Sequence, residues 1–86
     1  MPDYEVIFTR SARKALQRLP TSISDRIIRR IEALVEDPRR RGVRKLKETR
    51  DHWRMRVGDY RVIYRIDDRK RLIDVMFIRH RDMAYR

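Results

Sequence analysis

The apolar positions of this chain follow a helical period in its first half and an alternating one in its second. Tyr4-Glu5-Val6-Ile7-Phe8 is a β-prone run long enough for one strand. Ala12, Ala15, Leu16 and Leu19 then fall at i, i+3, i+4 and i+7, the stripe of an amphipathic helix that Thr9 or Ser11 can cap and Pro20 breaks. A second helix is predicted from Thr21 or Ser22, with Ser22-Ile23-Ser24-Asp25 as its capping box. Its stripe is Ile23, Ile27, Ile31, Leu34 and Val35, while Arg26, Arg29, Arg30 and Glu32 take other faces. Pro38 ends it by restricting Asp37.

From Trp53 to His80 the chain reads as a three-stranded antiparallel meander. Gly58-Asp59 is a Gly-first pair suited to a two-residue type II′ turn. It sets Val57 opposite Tyr60, Arg56 opposite Arg61, Met55 opposite Val62 and Trp53 opposite Tyr64. A four-residue loop at Asp68-Arg69-Lys70-Arg71 then sets Ile66 opposite Ile73, Arg65 opposite Asp74, Tyr64 opposite Val75 and Val62 opposite Phe77. Residues opposite each other share a face, so the sheet sorts into two sides. One side carries Met55, Val57, Tyr60, Val62, Tyr64, Ile66, Ile73, Val75 and Phe77 and is the expected core. The other carries Arg54, Arg56, Arg61, Arg65 and His80, with Ile63, Met76 and Ile78 among them. A slip of one residue would mix the two sets. The fold class that follows is α+β, a single domain over residues 1–86. Two N-terminal helices pack on one face of an antiparallel sheet in the order β-α-α-β-β-β.

Length limits what such a domain can bury. A chain of 86 residues hides only about 60–65% of its unfolded surface, so one modest core is expected. There is no cysteine, which fits a reducing compartment. No apolar run approaches the length of a membrane span, and Met1-Pro2-Asp3-Tyr4-Glu5 lacks the start of a signal peptide. A cytoplasmic protein is the expectation. Two distant histidines without cysteine argue against a metal site, and no Gly-rich phosphate loop is present. No cofactor is implied.

Charge changes the picture most. Lysine and arginine number 24 against 13 acidic residues, a net charge of +11. Nine of those net charges fall between Arg39 and Arg71, where fourteen basic residues meet five acidic ones. A charge so concentrated captures polyanions, and the prevalence of arginine suits phosphate through its planar, forked guanidinium. Arg56 beside Arg61 is a like-charge cross-strand pair, a repulsion that a bound anion would relieve.

The run Trp53-Arg54-Met55-Arg56-Val57-Gly58-Asp59-Tyr60-Arg61-Val62-Ile63-Tyr64, followed by Ile78-Arg79-His80-Arg81 and Tyr85-Arg86, resembles the RelE/StbE branch of the RelE–ParE toxin superfamily. The order of the earlier signals agrees over nearly the whole chain. The resemblance implies the toxin half of a bacterial or archaeal toxin–antitoxin pair, held inactive by a RelB-like antitoxin that wraps around it. It implies an endoribonuclease that cuts mRNA in the ribosomal A site and leaves a 2′,3′-cyclic phosphate and a 5′-hydroxyl. The ribosome and mRNA are then the remaining partners.

That reaction requires deprotonation and in-line alignment of a 2′-hydroxyl, charge stabilisation at phosphorus, and neutralisation of the leaving oxygen. Arg61 and Arg81 match the family's catalytic arginine positions and are expected to bind the transition state. Arg54 and Arg56 match positions where RelE itself carries lysines, and an arginine does not release its proton as a lysine can. Among the groups near the expected site, His80 alone ordinarily titrates near neutrality, and it is the candidate acid or base, against the simpler reading that it ends a strand. Tyr85 matches the family's C-terminal tyrosine, at a shorter spacing from Arg81 than in RelE. Trp53, Tyr60 and Tyr64 are assigned to the core rather than to base stacking, and His52 to the surface before the strand. Arg39-Arg40-Arg41 with Arg44, Lys45 and Lys47 reads as a solvated basic loop that also contacts ribosomal RNA. Two other readings stay open: a ParE-like inhibitor of DNA gyrase without catalysis, and a nucleic-acid-binding module without activity.

Overall fold

The computed structural model describes residues 3–47 and 51–82. Its elements, in chain order, are β1 (Glu5–Phe8), α1 (Arg10–Arg18), α2 (Thr21–Leu34), β2 (Val43–Lys45), β3 (His52–Val57), β4 (Tyr60–Asp67) and β5 (Leu72–His80). The strands form one five-stranded sheet in the order β1-β5-β4-β3-β2. The expected α+β arrangement is present, with two refinements. β1 runs parallel to β5, so the sheet is mixed, and Val43–Lys45 adds a short edge strand antiparallel to β3. Among the described residues no helix is long and apolar enough to cross a membrane.

Both helices start where backbone geometry is already extended. Thr9 holds φ −68° and ψ 164°, and its hydroxyl oxygen accepts the amide of Ala12 at 3.1 Å. This is the ordinary N-cap bond. The second helix begins at Thr21, and the expected capping box does not form. Pro20 (φ −54°, ψ 144°) takes the cap position, and its carbonyl accepts the amides of Ile23 and Ser24, both at 3.0 Å. Ser22 and Ser24 therefore lie inside the helix, too late to cap it. The same helix stops at Leu34, short of Pro38, with the Val35 amide donating to the Glu32 carbonyl at 3.1 Å.

The helices cover one face of the sheet. Ala12, Ile27, Ile31 and Leu34 meet Met55, Val57, Val62, Tyr64, Ile73 and Val75, all essentially excluded from solvent. Tyr64 is accommodated because its hydroxyl donates to the Pro38 carbonyl at 2.7 Å, and burial raises its pKa. That bond ties the chain after α2 to the core. A second tie lies at the surface. The Tyr4 hydroxyl donates to Asp68 Oδ1 at 2.6 Å, and the Arg39 guanidinium grips the same carboxylate with two bonds of 3.1 and 2.8 Å. Arg39 and Tyr4 together hold the Asp68 carboxyl below its ordinary pKa, and the Asp68 bond raises that of the Tyr4 phenol.

The two hairpins differ in regularity. Between β3 and β4 the pairing is the expected one throughout, from Trp53 opposite Tyr64 to Val57 opposite Tyr60. Gly58 closes it at φ +59°, with no positive φ at Asp59, as a Gly-first turn requires. Between β4 and β5 the expected register holds from Asp67–Leu72 to Tyr64–Val75, and then a β-bulge shifts it by one residue. Beyond the bulge Ile63 faces Phe77, Val62 faces Ile78, Arg61 faces Arg79 and Tyr60 faces His80. The cause lies in β1. Its parallel pairing with β5 ends at Phe8–Val75, and the Thr9 amide donates to the Val75 carbonyl at 3.0 Å. The Thr9 hydroxyl then donates to the Met76 carbonyl at 2.6 Å. One side chain thus caps α1 and holds the carbonyl of the extra residue.

Three expectations change as a result. Ile78, expected on the basic side, joins the core at 5% exposure. Phe77, expected in the core, moves to the basic side. His80, expected among the arginines, turns to the helix side and meets the Tyr60 ring edge-on at 5.3 Å between centroids.

Candidate functional site

The open face of the sheet collects arginines by strand alternation. On β3, Arg54 and Arg56 point away from the core that holds Met55 and Val57. Arg56 is opposite Arg61 on β4, and Arg61 is opposite Arg79 on β5, so three guanidinium side chains form one row across three strands. A third like-charge pair, Arg44 opposite Arg54, extends the patch to the edge strand. Like charges placed opposite each other destabilise a sheet by roughly 0.2–1 kcal/mol each. Arg61, at the centre, is only 7% exposed, whereas Arg56 and Arg79 are exposed.

Shallow hollows join these side chains. One of about 360 Å³ is lined by Arg56, Asp59, Tyr60, Arg61, Arg81 and Asp82. Another, of about 300 Å³, is lined by His52, Arg54, Arg61, Arg79, Ile63 and Phe77, with Leu46 at its rim. A third, of about 440 Å³, lies among Gly42, Val43, Arg44, Arg54 and Arg56. Arg61 belongs to two of them and Arg54 and Arg56 link the third, so the hollows make one cationic surface with an apolar floor. The Arg79 Cζ lies 4.2 Å from the centre of the Phe77 ring, a cation–π contact that holds this guanidinium over the floor.

Arg81 follows the end of β5 and is brought in by the first hairpin. Its amide donates to the Asp59 carbonyl at 2.7 Å, and its guanidinium lies 3.9 Å from both the Asp59 and the Asp82 carboxylates. The Gly58-Asp59 turn therefore serves twice: it sets the β3–β4 register and it anchors Arg81 beside Arg56 and Arg61.

Of the residues that the sequence nominates, Arg44, Arg54, Arg56, Arg61 and Arg81 share this surface. His80 does not, because the bulge turns it to the helix side against Tyr60, though its Nδ1 lies 3.6 Å from Asp82. Lys45 pairs with Trp53 and has the opposite parity from Arg44, and Lys47 is exposed in the following turn. Tyr85 and Arg86 lie outside the described residues. Two members escaped the sequence reading. Arg79 did so because nothing in Val75-Met76-Phe77 marks a bulge whose cause is Thr9. His52 had a visible signal, since it continues the alternation of Arg54 and Arg56 by one step. Among the described residues no cluster of three or more His, Asp or Glu side chains could hold a metal ion.

Chemically, the surface can bind and polarise a phosphodiester. Guanidinium groups are always charged and donate in a fixed fork, and partial burial of Arg61 strengthens its field. They supply charge and position but cannot accept a proton.

A sequence model of the family described as "ParE toxin of type II toxin-antitoxin system, parDE" matches residues 6–85. Toxin RelE of Mycobacterium tuberculosis is 33% identical over 84 residues, which cover 96% of this chain and 87% of that protein. The archaeal RelE in the crystal structure of the RelE–RelB complex from Pyrococcus horikoshii superposes with a TM-score of 0.82 at 34% identity, over 94% of this chain and 97% of that one. The isolated E. coli RelE toxin shares the fold, with a TM-score of 0.81 at 22% identity over 90% of this chain and 83% of that one. The chain belongs to the RelE–ParE superfamily of type II toxin–antitoxin toxins, and its relatives place it among the RelE toxins.

Proposed function

We propose that this toxin is a ribosome-dependent endoribonuclease that cuts mRNA in the A site by attack of a 2′-hydroxyl on the adjacent phosphate. The observation that carries this reading is the row Arg56–Arg61–Arg79, flanked by Arg54 and Arg81, on a sheet face that the helices leave open. A fold has no structural reason to line up three cations across adjacent strands, and a phosphate backbone supplies one. Arg61 and Arg81 would meet the charge that builds at phosphorus, and Arg54 and Arg56 would hold the flanking backbone in line. Arg44, Lys45 and Lys47 would contact ribosomal RNA, where their loss weakens binding and flattens its salt dependence without altering the chemistry. Tyr85 would orient the 2′-hydroxyl. With no proton-accepting group among the arginines themselves, much of the rate must come from holding the RNA correctly, and the ribosome does that.

The same surface suits an antitoxin. Ile63, Phe77 and Leu46 lie among cations, a complement for an acidic amphipathic segment, and RelE relatives have been solved as complexes with RelB. A RelB-like antitoxin would neutralise the toxin by covering the groups that grip RNA.

Primer extension on translating ribosomes, run beside a gyrase supercoiling assay, tests the reading. Cuts within the A-site codon with unaffected supercoiling support it. The description of the matching family as ParE favours the second reading, gyrase inhibition, and intact mRNA with inhibited supercoiling would establish that instead.

A further inference from the structure

We propose that His52, held by Asp51, accepts the proton of the attacking 2′-hydroxyl; this inference rests on the nuclease reading above. Strand parity puts His52 on the arginine face, opposite Arg65 and two residues before Arg54. It lines the hollow shared by Arg54, Arg61 and Arg79. Each of those three can grip phosphate, and none can take up a proton at neutral pH. Among the described residues lining that hollow, the imidazole is the one group whose ordinary chemistry includes both protonation states near neutrality.

The ring is also oriented. Its Nδ1 is buried and lies 3.3 Å from Asp51 Oδ1, close enough for an ion pair but not aligned as a hydrogen bond. A small rotation would complete that bond, and catalytic hydrogen bonds are commonly loose until substrate arrives. With the Nδ1 proton directed at the carboxylate, Nε2 carries the lone pair and is the nitrogen turned away from Asp51. Among the described residues, the charged groups around it are Asp51 before β3, Arg54 along β3, Arg65 and Arg61 from β4, and Arg79 from β5; Arg65 is itself 3.8 Å from Asp74. Leu46, whose amide donates to the His52 carbonyl at 2.9 Å, contributes no charge.

In the step assigned here, the 2′-hydroxyl proton passes to His52 Nε2 as the 2′-oxygen bonds to phosphorus. The bond from phosphorus to the 5′-oxygen breaks, and that oxygen takes a proton from water. The products are a 2′,3′-cyclic phosphate and a 5′-hydroxyl, and the imidazolium returns its proton to solvent. His80, on the opposite side of the sheet against Tyr60, serves as a natural control.

The test is single-turnover cleavage of ribosome-bound mRNA by the full chain between about pH 6 and 8.5, the interval that brackets an imidazole. The wild-type rate is expected to rise with pH and level off. His52→Gln should slow cleavage by about 100-fold or more and abolish the inflection. Asp51→Asn, which keeps the ring but removes the carboxylate beside its Nδ1, should slow cleavage while an inflection remains, and this serves where His52→Gln does not fold. Arg61→Gln should slow the cut yet keep the inflection, and His80→Gln should change neither. A His52→Gln enzyme with the wild-type rate and inflection overturns the inference while leaving the nuclease reading intact. Wild-type protein that leaves the mRNA whole overturns both.

Discussion

The two faces of the β3–β4–β5 meander are made by the same strands and solve opposite problems. On the helix side, Met55, Val62, Tyr64, Ile73 and Val75 are fully buried, and the hydroxyl that Tyr64 brings into this core is satisfied by Pro38. Every contact on that side favours folding. On the open side, Arg44 faces Arg54, Arg56 faces Arg61 and Arg61 faces Arg79, and each pairing opposes it. Stability is generated on one face and spent on the other, and the molecule stays folded because only a few kcal/mol of repulsion are set against a whole core.

That contrast can be broken at several points. Ile31→Ala, on the buried side, should destabilise the domain by about 2–5 kcal/mol in a denaturant titration, through lost burial and a cavity. Tyr64→Phe keeps the ring but strands the Pro38 carbonyl, and should cost about 1–3 kcal/mol in the same measurement. On the open side the sign reverses. Arg79→Gln should leave stability unchanged or raise it by up to roughly 1 kcal/mol, while weakening RNA binding. The smallest effect belongs to the surface tie at Asp68. Its carboxyl is held below its ordinary pKa, so its contribution is present above that value and disappears as pH falls through the lowered one. The Tyr4 phenol is raised, so its contribution is present below its ordinary pKa and disappears as pH rises through the raised one. The groups are largely exposed, so Asp68→Asn should change thermal stability only slightly and less in high salt.

How much of this could be read from the chain differs between the two hairpins. The β3–β4 pairing followed from local chemistry, because Gly58-Asp59 fixes the turn and alternation fixes the faces. The arginine face was legible for that reason. The far end of β5 was not. Its bulge depends on Thr9, some 67 positions away, which holds the Met76 carbonyl. No pattern within Val75-Met76-Phe77-Ile78 announces such a partner, so Arg79 and His80 exchanged sides. Pro20 misled in a similar way, since a residue expected only to end one helix also caps the next. The histidine was the reverse case. His52 continued an alternation already recognised in Arg54 and Arg56, and needed only a strand one residue longer than Trp53.

The open face stands or falls with Arg61, which is central to the row and the most buried of its cations. The decisive measurement is the rate of A-site mRNA cleavage by the Arg61→Gln variant on programmed ribosomes, with circular dichroism to confirm its fold. A folded protein that cuts about 100- to 1,000-fold more slowly than wild type, the usual loss when one transition-state donor is removed, is the predicted result. A folded variant that cuts at the wild-type rate would contradict the account.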